Sequence, residues 1–320
     1  MRVMVTGGSG FMGTNLLEDL ISSDIDVWNV DIAAPRNTEH FKYWRRVDIC
    51  NIEELRTCVN EIRPDYVVHL AARTDLNEKS GLSYYCANVG GVENIVSVCD
   101  RSSGIKRIIF ASSMLVNGIG YRPKDRFDYS PTTLYGESKV LTENIIFRSS
   151  DALGEFCVVR PTSIWGEWFS EPYRNFFDFV LSSRFFHPGG RACTKTYGYI
   201  GNAIYQIRQL LHADVAKIQG KIFYLGDCPP VNISSWADEI SQCAGLPKPK
   251  RVPYSLFFAA ALFGDFLKAF GQRFPMTTFR LKNMTTDHII DLSETYDVCG
   301  ELPFSRADGV ARTIRWIKTH

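Results

Sequence analysis

The 320-residue chain has almost no surplus of charge of either sign: 36 Lys and Arg stand against 35 Asp and Glu, a formal net charge of +1. A protein that grips nucleic acid through its phosphates needs a basic surplus, so no nucleic-acid partner is expected. The near-neutral balance and an aromatic content of 13% also exclude a disordered chain. The nine cysteines are odd in number, scattered from Cys50 to Cys299, and form no CxxC pair. None stands at zinc-ligand spacing from one of the six isolated histidines, so no metal is expected. Scattered single thiols are the pattern of reduced cysteines and point to a cytoplasmic setting. Met1 leads straight into an apolar run, without the charged and apolar regions of a secretory signal. Internal repeats, low-complexity tracts and Ser/Gly linkers are lacking too.

Long apolar runs are also missing. Leu256 to Gly264 reads LFFAAALFG and continues through Asp265 to Phe270, far short of the ~20 residues that span a bilayer. The stretch predicts a helix packed on its neighbours, as core or lid. A helix lying on a membrane surface or in a dimer seam is the alternative reading, but membrane contact is not expected.

What the sequence does contain is alternation. Short apolar runs at Val3–Thr6, Val27–Val30, Tyr66–Leu70, Arg107–Phe110 and Phe156–Val159 alternate with helical spacing. The helices are predicted over Phe11–Ile21, Ile52–Ile62, Tyr84–Cys99 and Tyr135–Phe147. This is the pattern of parallel βαβ units: an α/β, Rossmann-type doubly wound parallel sheet. After Pro161 the spacing breaks down and aromatics, Gly and Pro become dense, Gly189 and Gly190 among them. A dinucleotide-binding domain is therefore placed at 1–165, joined by about 196–215, with 166–320 forming mainly a smaller mixed α/β substrate lobe. The cleft between the two is the expected ligand site.

Gly7, Gly10 and Gly13 lie directly after the first strand and directly before the first helix. Glycine permits the tight turn and lets a diphosphate approach the backbone, and the N–H groups at the helix start then face the phosphates. Phe11 and Met12 belong to the same loop. The spacing is GxxGxxG rather than the GxGxxG of many dehydrogenases. Asp31 ends the second strand 18 residues after Gly13, near the offset of a ribose-binding acid. Its carboxylate suits the two hydroxyls of an adenosine ribose and repels a 2′-phosphate, which favours NAD. Arg36, just beyond, keeps NADP as a second option.

With these motifs the chain resembles the extended short-chain dehydrogenase/reductase family, in its NAD-dependent epimerase/dehydratase group, which modifies nucleotide sugars. Asp48-Ile49 matches the pair that contacts adenine in that group. His69-Leu70-Ala71-Ala72 matches the segment under the dinucleotide, and Asn88-Val89-Gly90-Gly91 resembles the family's helix segment. The resemblance implies cofactor contacts at Leu70, Ala71, Ala72, Asn88 and Pro161. Pro161 lies in Arg160-Pro161-Thr162-Ser163-Ile164-Trp165-Gly166, which resembles the family segment beside the nicotinamide.

Tyr135 and Lys139 form YxxxK on a predicted helix, so both side chains share one face. A phenol of pKa ~10 is a poor base at neutral pH, and a neighbouring ammonium would lower it. Lys139 can also bond the nicotinamide ribose. The resemblance adds Ser113, which would polarise the reacting oxygen, with Ser112 as the one-residue alternative. It also narrows the reaction. Family dehydratases carry an Asp-Glu pair after the catalytic hydroxyl residue, where this chain has Met114 and Leu115. The 3,5-epimerase-reductases carry a Cys where Met114 stands. A nucleotide-sugar 4-epimerase or 4-keto-reductase remains the leading expectation. A hydroxysteroid-like or other alcohol dehydrogenase comes second, on the form Tyr197-Gly198-Tyr199-Ile200-Gly201-Asn202, and a non-catalytic NAD-binding regulator last. Asn175 and Lys195 are candidate substrate contacts, and the resemblance implies a homodimer.

Overall fold

The computed structural model describes all residues except 77, 79, 172, 190–192, 271, 273 and 275, and no side-chain description covers 268, 269, 279, 280 and 283. Gly190, counted above among the dense glycines, and the Lys268 and Ala269 side chains therefore lie outside the described residues.

The first half follows the alternation of the sequence closely. It runs β1 (Arg2–Thr6), α1 (Phe11–Ser22), β2 (Asp26–Val30), β3 (Trp44–Arg45), α2 (Ile52–Ile62), β4 (Tyr66–His69), α3 (Cys86–Val98), β5 (Arg107–Ala111), α4 (Leu134–Arg148) and β6 (Glu155–Pro161). The helix expected from Tyr84 begins two residues later, because Leu82–Tyr85 winds as a tighter 3₁₀ turn. Then follow β7 (Ser163–Trp165), α5 (Tyr173–Leu181), β8 (His187–Pro188), β9 (Thr194–Lys195), β10 (Tyr197–Tyr199), α6 (Ile200–His212), α7 (Val215–Ile218) and β11 (Lys221–Leu225). The chain closes with β12 (Val231–Asn232), α8 (Ile233–Cys243), β13 (Arg251–Val252), α9 (Tyr254–Ala269), α10 (Thr278–Thr285), α11 (Ser293–Cys299) and α12 (Arg306–Thr319).

Seven strands form one sheet in the order β11-β6-β5-β4-β1-β2-β3, and every pairing is parallel. Order reverses between β1 and β4, which opens a crevice at the carboxyl ends of these strands, the usual ligand position in such sheets. Alternate residues of β1 feed the two faces: Val3 and Val5 join one core, with Leu16 and Leu20 of α1 and Ile204 and Ile207 of α6. Met4 joins the other, with Leu55 of α2, Ile95 of α3 and Ile146 of α4. The first core continues into the lobe, where Trp165 packs on Trp236 with ring centres 5.1 Å apart.

The apolar stretch at 256–270 does form a helix, but it is not the buried element expected. On α9, Ala261 is fully buried, while Leu256, Phe263 and Phe266 are 59%, 53% and 59% exposed. One side packs on the following segment: a Cβ at Gly264 would overlap the Met276 carbonyl and touch Phe274. Among the described side chains of α9 none belongs to either core. Among the described residues no helix is long and apolar enough to cross a membrane.

Candidate active site

The loop from β1 to α1 fits a dinucleotide diphosphate on two counts. Gly7 sits at φ +73° with the Ala71 nitrogen 2.5 Å from where a Cβ would stand, so only glycine lets the loop pack on the end of β4. At Gly10 a Cβ would meet only the Gly7 carbonyl oxygen, at 3.2 Å, so the space at the start of α1 is open. Gly10 is the N-cap of α1 and offers no capping side chain, and the first turn has no acid. The N–H groups of Phe11, Met12 and Gly13 thus point into space cleared by glycines, where an anion would complete the helix. A Cβ at Gly13 would lie 2.2 Å from the Gly7 carbonyl oxygen, so this third glycine lets the helix sit on the loop.

Asp31 lies at the end of β2 and is half-buried. Its carboxylate accepts from the N–H groups of Ser9 at 3.0 Å and Ala33 at 2.9 Å. Burial raises its pKa and those two bonds oppose the rise. A carboxylate has lone pairs to spare for a ribose. Arg36 donates to the Trp168 carbonyl at 2.7 Å, and its charge still reaches Asp31 and favours the ionised carboxylate. Asp48 is exposed and accepts from the Cys50 N–H at 2.9 Å.

Two expected cofactor contacts stand one layer back. The Ile49 side chain is buried in the second core against Gly91, and its carbonyl accepts from the Asn94 amide at 2.9 Å. The Asn88 side chain is consumed by the protein: it accepts from the Arg73 N–H at 2.7 Å and donates to the Arg73 carbonyl at 3.0 Å and Ser138 Oγ at 2.9 Å. Its geometry anchors the loop of Leu70, Ala71 and Ala72 rather than presenting a free amide. Those three residues are half-buried at the crevice, with the Leu70 N–H on the Thr6 carbonyl. Pro161, half-buried, ends β6.

Ser113, Tyr135 and Lys139 come together at the carboxyl ends of β5 and β6. Thr133 caps α4 by accepting from the Gly136 N–H, which fixes the helix start and projects Tyr135 and Lys139 inward, where both are buried. The Ser113 side chain lies close enough to Tyr135 to oppose the rise in its pKa, and its Oγ accepts from the Leu115 N–H at 3.1 Å. Ser112, the alternative, points elsewhere and donates to Glu143 Oε1 at 2.5 Å. The expected lowering of the Tyr135 pKa by Lys139 is not realised: burial pushes Tyr135 up to about 12, with only the Ser113 side chain opposing. The Lys139 ammonium lies 6.0 Å from the phenol ring centre and donates to the Ala111 carbonyl at 2.8 Å. Burial brings Lys139 itself down to about 8, while Glu143 acts the other way.

Glu143, one turn beyond Lys139, is a residue that the YxxxK reading missed. It and Arg160 are fully buried and joined by two bonds, Nε to Oε1 at 2.8 Å and Nη2 to Oε2 at 2.7 Å. Tyr129 donates to Glu143 at 2.7 Å, and Arg160 donates to the Tyr224 hydroxyl at 2.9 Å. The helical spacing 135, 139, 143 was the available signal. Tyr173 was missed too: its hydroxyl donates to Ser163 Oγ at 2.9 Å, and it stands close enough to raise the Tyr135 pKa. His69 is bonded to Thr6 Oγ1 at 2.7 Å, and burial holds it down to about 3, so it stays neutral.

These elements match one family description, the NAD dependent epimerase/dehydratase family, over residues 3–214. The chain belongs to that family. NAD is accordingly the dinucleotide that the crevice serves. A relative from Escherichia coli O157:H7, an N-acetyl-alpha-D-glucosaminyl-diphospho-ditrans,octacis-undecaprenol 4-epimerase, is 26% identical and covers 100% of this chain and 96% of its own. A 3-beta-hydroxysteroid dehydrogenase from Mycolicibacterium neoaurum is 28% identical over 78% of this chain and 71% of its own. The fold is that of the Thermotoga maritima UDP-glucose 4-epimerase solved with UDP-glucose, at TM-score 0.76 and 18% identity, covering 100% of this chain and 99% of that one.

Met114, next to Ser113 in the sequence, lines a cavity of about 790 Å³ together with Asn117, Tyr224, Asp227, His288 and Tyr296, among others. Lys195 is half-buried on β9 and bridges to His288 on its wall. Burial lowers the Lys195 pKa. Asn175 is half-buried on α5, without a described contact to that wall. Among the described residues no group of three or more His, Cys, Asp or Glu could hold a metal ion.

Proposed function

We propose that the chain is an NAD-dependent 4-epimerase of a sugar carried on a diphosphate, nucleotide sugars included. The observation that carries this reading is the pair of residues that follows Ser113. In this reading Tyr135 and Ser113 handle the proton, and Met114, the residue after Ser113 and a thioether that cannot act as acid or base, lines the neighbouring cavity. Directly after Ser113, Met114 and Leu115 supply neither acid nor base, which suits reversible oxidation of a carbinol better than loss of water; Asp227 and His288 stand elsewhere on the cavity wall. The E. coli relative that spans the whole chain adds support for the sugar diphosphate and for position 4.

In this reading Tyr135 takes the proton of the sugar hydroxyl and returns it, and Ser113 holds the same oxygen by hydrogen bonding. Lys139, fixed on the Ala111 carbonyl, keeps a cation within 6.0 Å of the phenol ring. Only the phenolate can take the hydroxyl proton: burial opposes it in the free protein, the positive ring charge of bound NAD would favour it, and the neutral phenol formed then returns the proton to the keto oxygen as the hydride comes back. NAD, when bound, supplies the hydride acceptor and a positive ring charge. The open N-terminus of α1 holds the diphosphate of the cofactor, Asp31 its ribose, and Lys195 is the cation proposed for the diphosphate of the substrate.

The test incubates the purified chain with UDP-N-acetylglucosamine and, separately, with polyprenyl-diphosphate N-acetylglucosamine, and separates the C4 epimers by chromatography. Epimer formation without net NADH supports the reading. Net NADH formation on a hydroxysteroid with no epimer from either sugar would replace it with the dehydrogenase reading, which the Mycolicibacterium relative favours. NAD binding with neither activity would leave a regulator.

A further inference from the structure

The described side chains of α9 stand outside both cores and carry features that the proposed chemistry does not use. Leu262, Phe263 and Phe266 lie on one side of α9 and Phe270 directly follows its end; they are 51%, 53%, 59% and 70% exposed. Scattered exposed apolar residues need no explanation, but a row of large ones on one helix face does. Charge adds a second, independent observation. Residues 246–286 hold seven Lys or Arg and a single acid, Asp265, in a chain whose total is only +1. Lys248, Lys250, Arg251 and Lys282 are exposed. Asp265 is turned inward and accepts from Thr278, so it does not neutralise the outer face.

Three of these cations directly precede α9, where the helix dipole disfavours positive charge. A second copy of the chain is a poor cover, because a two-fold contact would set the same cations against each other. An apolar face bordered by cations suits the interface of an anionic bilayer, with aromatic side chains at the acyl boundary and Lys and Arg at the headgroups. The 16 residues of α9 reach ~24 Å at 1.5 Å per residue, enough to lie in that interface and too short to cross it.

We infer that α9 docks the protein onto anionic phospholipid membranes, lying flat with its Phe-rich face in the lipid. This reverses the expectation of no membrane contact. It is independent of which substrate the active site takes. The chain after α10 leads directly into the cavity wall at His288, so a docked α9 sets the cavity close to the bilayer.

The test is flotation of the full chain with phosphatidylcholine vesicles, with and without phosphatidylglycerol. The expected result is flotation with the anionic vesicles that weakens with salt. Replacing Leu262, Phe263 and Phe266 together by Ser should abolish it. Replacing Lys248, Lys250 and Arg251 together by Gln should weaken it by about 100-fold, at about fivefold per cation. Both variants should keep the NAD affinity of the parent, which serves as the folding control in place of the thermal midpoint, because the Ser variant also loses the ring contact of Phe263 with Phe274. No flotation of the parent, or undiminished flotation of both variants, would overturn the inference. So would a dimer in sedimentation that the Ser variant dissociates, since the face would then belong to a second copy.

Discussion

Helices α4 and α9 invert the usual distribution of residues in opposite ways. Helix α4 buries Tyr135, Ser138, Lys139, Thr142 and Glu143, and α9 exposes Leu262, Phe263 and Phe266, with Phe270 directly after it. Burying a Lys and a Glu costs solvation, which Ala111 and Arg160 offset through hydrogen bonds and charge. Exposing four large apolar side chains forgoes burial that elsewhere builds the cores. In the readings proposed above, each departure from inside-out packing serves something besides the stability of the fold, chemistry at α4 and membrane docking at α9.

The comparison is broken or sharpened by a graded set of substitutions. The largest effect is expected at Tyr135→Phe, which removes the proton carrier: turnover should drop by about 10²–10⁴-fold, with NAD affinity by titration nearly unchanged. Unaltered turnover would remove α4 from the chemistry. Next is Arg160→Met, which leaves the Glu143 carboxylate buried without its cation and should cost about 3–5 kcal/mol in denaturant unfolding. Combining it with Glu143→Leu should recover much of that loss. If the double variant is no better than the single, the pair is not the unit that matters.

A pH effect follows from His69. Its folded pKa, about 3, lies below the ordinary value of 6.5, so between those values the unfolded chain binds a proton that the folded one does not. Stability from this group is complete above about 6.5 and is lost as pH falls toward 3. Unfolding curves of His69→Gln against the parent should converge across that window. The smallest effect belongs to α9. Phe266→Ala should shift stability by no more than ~0.5 kcal/mol, whereas Ile146→Ala, in the core under α4, should cost ~2–5 kcal/mol. Equal losses would mean that the α9 face is covered.

Much of the dinucleotide half was legible because its signals are local. A run such as VMVTGG names a strand and the turn that ends it, and β1, α1, β2 and α2 fall within a residue of their expected bounds. The expectation that Ser113 works with Tyr135 came through the family resemblance, and the structure shows that the Ser112 hydroxyl is taken up by Glu143. Three features were not legible. Strand β11 comes from 221–225, after the pattern had dissolved, and joins the sheet through pairing with β6. Tyr173 reaches Tyr135 from another element. An apolar run such as LFFAAALFG reads the same whether its helix is wrapped in protein or left open.

By itself, then, the sequence determined what depends on neighbours along the chain: strand and helix periods, the glycine turn, the YxxxK spacing and the local charge surplus around α9. Tertiary structure decided what depends on neighbours in space. Burial, not Lys139, sets the Tyr135 pKa, because desolvation counts every surrounding atom and spacing counts only one. Burial likewise withdraws Asn88 and Ile49 from the crevice, and its absence is what turns α9 from a core helix into a surface.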